Sequence, residues 1–158
     1  MKDKIIGVVG NGFVGGAVAN GFGSYARNVR VYDINVEKRT HTLEDVLESD
    51  FVFVCLPSPM KNSDGSSSDL SYIFDFFNDQ VVGRSAYNPV YILKSTVPPG
   101  TTEKIAQSDD RIKIVHNRTL DRCFSSDLCI VQASGGSVPL NLLHTCNHKY
   151  KVGIHQTP

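Results

Sequence analysis

A net excess of either charge is missing from this sequence: 16 Lys and Arg stand against 16 Asp and Glu. Nucleic-acid and membrane-surface partners draw affinity from clustered cations, and with no basic block or stripe neither is expected. Long apolar runs are missing too. The longest are strand-sized, well short of the ~20 residues that cross a bilayer. The charged start, Met1 to Lys4, runs into an apolar stretch too short for a secretory leader, so the expected location is the cytoplasm. Cysteines number four (Cys55, Cys123, Cys129 and Cys146), with no C-x-x-C pair and no secretory context, so a disulfide framework is not expected. Cys55 lies in an apolar run and reads as a small buried hydrophobe. The tail His144-Thr145-Cys146-Asn147-His148, if extended, turns three metal ligands to one face, with Cys123 or Cys129 as a fourth. Nothing in the sequence makes them converge, so reduced thiols and no metal are expected. Internal repeats and an interdomain linker are also lacking, and 158 residues suit one domain with a substantial core.

What is there begins at the fifth residue. Ile5-Ile6-Gly7-Val8-Val9 empties into Gly10-Asn11-Gly12-Phe13-Val14-Gly15, a β-branched run followed by G-x-G-x-x-G. Gly10 permits the tight turn out of a strand. Gly12 lets a pyrophosphate approach the backbone, and Gly15 lets the next helix lie close to the sheet. Exposed N–H groups at that helix start then meet phosphate charge without a cationic side chain. Ala17, Val18, Ala19 and Phe22 continue a helix that ends near Gly21 or Gly23. Val29 to Tyr32 reads as a second strand ending at Asp33, about where an acid accepts hydrogen bonds from the adenosine ribose. A carboxylate there repels a 2′-phosphate, which favours NAD over NADP.

Strand and helix then alternate. The expectation is an α/β fold of Rossmann type: a doubly wound, mainly parallel sheet with helices on both faces. Thr42 caps a short helix through Glu48, with Leu43, Val46 and Leu47 on its inner face. Phe51 to Cys55 is a third strand, apolar as one covered on both faces should be. A loop rich in helix and strand breakers, Pro57 to Ser68, is long for a compact domain, which marks it as functional or as a serine-rich surface excursion. Asp69 caps a helix with Leu70, Ile73, Phe74 and Phe77 on one face, an aromatic stripe read as core. Val90 to Leu93 is a fourth strand, followed by Lys94-Ser95-Thr96 and the turn Val97 to Gly100. Thr101 opens a helix containing Ile105, and strands follow at Ile112 to Val115 and Leu128 to Val131. Past Gly135 and Gly136 the pattern weakens to a short helix at 140–143 and a strand at 150–154.

These motifs resemble the NAD-binding domain of the UDP-glucose/GDP-mannose dehydrogenases. The likeness rests on GNGFVG, VYDINVEK, VFVCLPSP with its downstream DG and DLSYI, and KSTVPPGTTEKI, in that order from Ile5 to about Ile105. The resemblance implies NAD as cofactor, held by Gly10, Asn11, Gly12, Phe13, Val14 and Gly15, with Asp33 as acceptor and Lys38 as cationic donor. It also implies that Leu56, Pro57 and Ser58 line the cleft at the end of the third strand. Thr96 would stand near the nicotinamide as the candidate catalytic residue, ordering a water molecule. Read without the resemblance, Lys38 is equally a solvated charge, and Ser58 and Thr96 equally satisfy turn backbone.

The departures bear on mechanism. Where the family reads N-P-E-F-L and then a second glutamate, this sequence has Asn117-Arg118-Thr119-Leu120-Asp121-Arg122-Cys123, with Thr119 and Cys123 in the glutamates' places. The family's catalytic lysine, asparagine and cysteine lie on a central helix and a C-terminal UDP-sugar-binding domain that this sequence lacks. The expectation is therefore a single NAD-binding domain over 1–158, incomplete by itself for the two-step oxidation of a sugar alcohol. Partners would be a nucleotide sugar and a separate substrate domain or a second copy, docking near Leu140, Leu142 and Leu143. A non-catalytic NAD module, sensor or degenerate subunit, is the alternative, and a small reductase on the same scaffold a weaker one.

Overall fold

In the computed structural model, which describes residues 3–23, 26–61, 67–84, 87–117 and 131–133, strands and helices alternate as expected. The order is β1 (Ile5–Val9), α1 (Phe13–Phe22), β2 (Asn28–Tyr32), α2 (Leu43–Leu47), β3 (Phe51–Val54), α3 (Ser71–Asp75), β4 (Val90–Leu93), α4 (Thr101–Ser108), β5 (Lys113–Asn117) and β6 (Val131–Ala133). They form one sheet in the order β2-β1-β3-β4-β5-β6. β1 through β5 are parallel, and β6 returns antiparallel, with Val115 opposite Ala133 and Asn117 opposite Val131. The last strand departs from the sequence reading. The sequence places it over Leu128 to Val131 in a mainly parallel sheet; the described strand lies at Val131–Ala133 and is the sheet's antiparallel member. An apolar run marks a strand but carries no direction, and residues 128–130 lie outside the described ones.

Alternation along each strand builds two cores. Ile6 and Val8 of β1 and Val31 of β2 pack with Val18, Ala19 and Phe22 of α1, with Phe51, Phe53 and Cys55 beside them. Val9, Val52, Val54, Tyr91 and Leu93 face the other way. They meet Leu43, Val46 and Leu47 of α2, Ile73 of α3 and Ile105 of α4. This is what right-handed crossovers require: the chain moves one way from β1 to β2 and the opposite way from β2 onward, so its helices change face once. Between those two directions, at the carboxyl ends of β1 and β3, an open parallel sheet leaves a crevice.

Local chemistry sets the helix starts. Thr42 Oγ1 accepts from the Asp45 N–H, and the Asp45 carboxylate accepts in return from the Thr42 N–H, a capping box at the start of α2. Asp69, expected as the cap of α3, sits one position before its N-cap Leu70; its carboxylate still accepts from the Ser71 N–H at 3.0 Å. Beyond α3 the coil widens into a π-helix over Phe76–Val81, where the Val82 N–H reaches back five residues to the Phe77 carbonyl. The wider turn lets the adjacent Phe76 and Phe77 both enter the core, where Phe77 meets Tyr91 edge-on at 5.3 Å. The Pro57 to Ser68 loop is tied at its base by an antiparallel bridge between Met60 and Ser68.

The foot of the sheet is joined by one residue. The Asp50 N–H donates to the Ile5 carbonyl, its carboxylate accepts from the Ile5 N–H at 2.9 Å, and its carbonyl accepts from the Val90 N–H. Lys4 Nζ adds an ion pair at 2.8 Å.

Candidate dinucleotide site

Every loop that faces the crevice leaves the carboxyl end of a strand. The first, Gly10 to Gly12, depends on its glycines. Gly10 has φ +90°, and a Cβ there would lie 2.6 Å from the Cys55 carbonyl oxygen. A Cβ on Gly15 would stand 1.8 Å from the Gly10 carbonyl oxygen, so helix and turn touch through backbone. At Gly12 a Cβ would meet nothing within 4 Å. That open ground lies before the start of α1, whose first turn has no side-chain cap. The first intrahelical bond is Gly16 N–H to Gly12 carbonyl, leaving the N–H groups of Phe13, Val14 and Gly15 ahead of it. Uncapped amides, a helix dipole and empty space in front suit a pyrophosphate.

Asp33 follows β2 and leans toward this loop. Its Oδ2 accepts from the Asn11 N–H at 2.6 Å and its Oδ1 from the Asn35 N–H at 2.8 Å. A carboxylate has about four acceptor positions, so two remain for ribose hydroxyls. Asn11 also donates through Nδ2 to the Lys38 carbonyl at 2.6 Å, which draws the 3₁₀ turn Val36–Lys38 against the glycine loop. Sequence reasoning placed Lys38 here by resemblance and overlooked the Asn11 side chain that holds it. Phe13, Ile34 and Val36 are exposed apolar residues around this end of the crevice.

Across the crevice, the Ser95 hydroxyl donates to the Leu56 carbonyl at 2.6 Å, binding the loops after β3 and β4 together. Leu56 and Ser58 are half-buried, while Pro57 and Thr96 are exposed. A His116 ring nitrogen lies 3.1 Å from the Ser95 carbonyl, extending the link to β5. One residue past the paired register, Cys55, Lys94 and Asn117 make a row over three strands. Lys94 Nζ donates to Asn117 Oδ1. Burial pushes the Cys55 thiol up to about 12 despite the opposing pull of the Lys94 ammonium, so it is no nucleophile. Lys94 lies within a motif the sequence displays, but its partner on β5 emerges only from strand register. The structure thus assembles Gly10 to Gly15 with Asp33 and Lys38, and separately Leu56 with Ser95 beside Thr96. Thr119, Asp121, Cys123, the leucines at 140–143 and the His144 to His148 cluster lie outside the described residues. Among the described residues no three His, Cys, Asp or Glu gather as a metal site, and no helix is long and apolar enough to cross a membrane.

A parallel sheet with an uncapped glycine turn at its switch point and an acid ending the second strand defines a dinucleotide-binding α/β domain of Rossmann type. The family model for the NAD-binding domain of the UDP-glucose/GDP-mannose dehydrogenases matches residues 35–121, more than half of the chain. The chain belongs to that family, and its cofactor is NAD. The matched span starts two residues after Asp33, so the glycine loop joins the domain on structural grounds. A UDP-N-acetyl-D-mannosamine dehydrogenase of Pyrococcus horikoshii is 36% identical over 72 residues, 44% of this chain and 16% of that protein. A UDP-glucose dehydrogenase of Pyrobaculum islandicum superposes with TM-score 0.69 at 24% identity, covering 95% of this chain and 46% of its own. An imine reductase variant of Myxococcus stipitatus in complex with NAD⁺ gives 0.67 at 15% identity, covering 98% and 55%. At such identities the superpositions establish the fold alone. The chain spans about half the length of these solved relatives and a sixth of the curated one.

Proposed function

We propose that this chain is the cofactor-holding unit of a nucleotide-sugar dehydrogenase. The N–H groups of Phe13, Val14 and Gly15 would hold the pyrophosphate of NAD at the carboxyl edge of the sheet. Asp33 takes the adenosine ribose and Lys38 adds a cation at the same end. Leu56, Pro57, Ser58 and Thr96 line the opposite end. Bound NAD supplies the chemistry of hydride acceptance. The chain's own residues bind and orient it: the glycine loop by shape, Asp33 by acceptance, Thr96 by a hydroxyl positioned to order water. The observation that carries this reading is the Asp33 carboxylate fixed against the Asn11 N–H, which places acid and anion cradle side by side.

The nucleophile, base and sugar pocket of such an oxidation come, in this proposal, from another domain or a partner chain. Support lies in Thr119 and Cys123 standing where the family carries glutamates. Each acid or base absent from a site removes about 10²–10⁴ in rate. Calorimetric titration with NAD⁺ tests the binding step, with heat expected from the full chain and abolished or strongly weakened in Asp33→Ala. UDP-glucose and related sugar nucleotides, offered with and without candidate partner chains, test the chemistry through NADH absorbance. The same substitutions favour a second reading, a non-catalytic NAD module. NAD binding with no NADH from any sugar nucleotide in any mixture decides for it.

A further inference from the structure

The Lys94 ammonium has no use in the reading above. It is half-buried at the carboxyl end of β4, and its bond is to a neutral amide oxygen, that of Asn117. Among the described residues no carboxylate pairs with it, although Lys4, Arg30, Lys61, Arg84 and Arg111 each have one. Partial removal of a cation from water without a counter-ion is unfavourable, which leaves its charge to act on whatever occupies the end of β4.

Its position fixes what that ligand part is. The pyrophosphate cradle stands over β1 and the ribose acid over β2, so the adenosine half runs toward that edge. The nicotinamide half must run the other way, across β3 toward β4. Two strand spacings of about 4.8 Å separate β1 from β4, within reach of a nicotinamide nucleotide. Lys94 sits at the end of that path, between Cys55 and Asn117. The oxidised nicotinamide ring carries a positive charge and the reduced ring none.

We propose that Lys94 sets the redox preference of the site: its fixed charge disfavours the charged ring of NAD⁺ relative to the neutral ring of NADH. A fixed like charge near the oxidised ring, weakened by solvent screening, gives a preference of about tenfold for the reduced form. Lys94 is a positioning residue of charge rather than a proton donor. The proposal rests on the NAD reading, and its test separates the two.

The full chain is titrated by calorimetry with NAD⁺ and with NADH. The native protein should hold NADH about tenfold more tightly. In Lys94→Gln and Lys94→Met the NAD⁺ affinity should rise and the preference shrink toward unity, while Lys94→Arg should retain it. A structural prop would instead weaken both forms by one factor on removal, and that result overturns the role of Lys94. Native protein that binds NAD⁺ as tightly as NADH overturns it as well, without any variant having to fold. No heat with either form sinks the cofactor reading itself, and this inference with it.

Discussion

At Gly15 one added methyl group would stand 1.8 Å from the Gly10 carbonyl oxygen, backbone that has no rotamer with which to yield. Gly15→Ala should therefore lower stability by about 1–3 kcal/mol or more and abolish NAD binding, read by urea unfolding and calorimetry. Gly12→Ala makes the matching control: the fold should hold, because nothing lies within 4 Å, while phosphate approach is blocked. The Cys55 thiol makes a different kind of prediction. Burial raises it from 9.0 to about 12, so the fold keeps a proton that the unfolded chain gives up. Its contribution is complete below pH 9 and disappears as pH climbs through 12. Buried Tyr91, raised from 10.0 to about 12, adds to the same loss from pH 10 upward. The urea midpoint should stay level near neutrality and fall from pH 9, with a shallower fall in Cys55→Ala. At pH 8 an alkylating reagent should leave folded Cys55 untouched.

At the scale of elements, the capping box of α2 is the plainest local signal to test. Thr42→Ala leaves the Asp45 N–H without its acceptor and should cost about 1 kcal/mol, measured as a lower urea midpoint. Such local signals explain which elements were legible. β1, the glycine turn and α1 could be read because strand, turn and helix signals fall within 18 consecutive residues. Thr42 marked α2 for the same reason. The π-helical turn was not legible: the spacing of Leu70, Ile73, Phe74 and Phe77 fits an ordinary helix, and only the joint burial of Phe76 and Phe77 widens it. The direction of β6 was hidden because hydrophobicity is blind to it. At the site, Asp33 was readable from its distance to the glycines. The clamp from Asn11 to Lys38, the Ser95 to Leu56 bond and the Lys94 to Asn117 bond span 27, 39 and 23 residues, and no local pattern encodes such contacts.

For the molecule as a whole, a ligand bound only by the native state should raise its stability. At one hundred times its dissociation constant, NAD adds about 2.7 kcal/mol. For a chain of this size that raises Tm by roughly 5–10 °C. Scanning calorimetry should show the rise in the native chain and its loss in Asp33→Ala. A rise that survives in the variant would place the nucleotide elsewhere.

The seam at the foot of the sheet has a consequence of its own. Burial pushes the Asp50 carboxyl up, but the Ile5 amide and the Lys4 ammonium outweigh it and hold the group below the ordinary 3.8. That support is whole above pH 4 and is withdrawn as acid protonates the folded group. Acid would then fray the protein from its underside: the Ile5 amide should exchange its hydrogen sooner than those of Val8 and Val9.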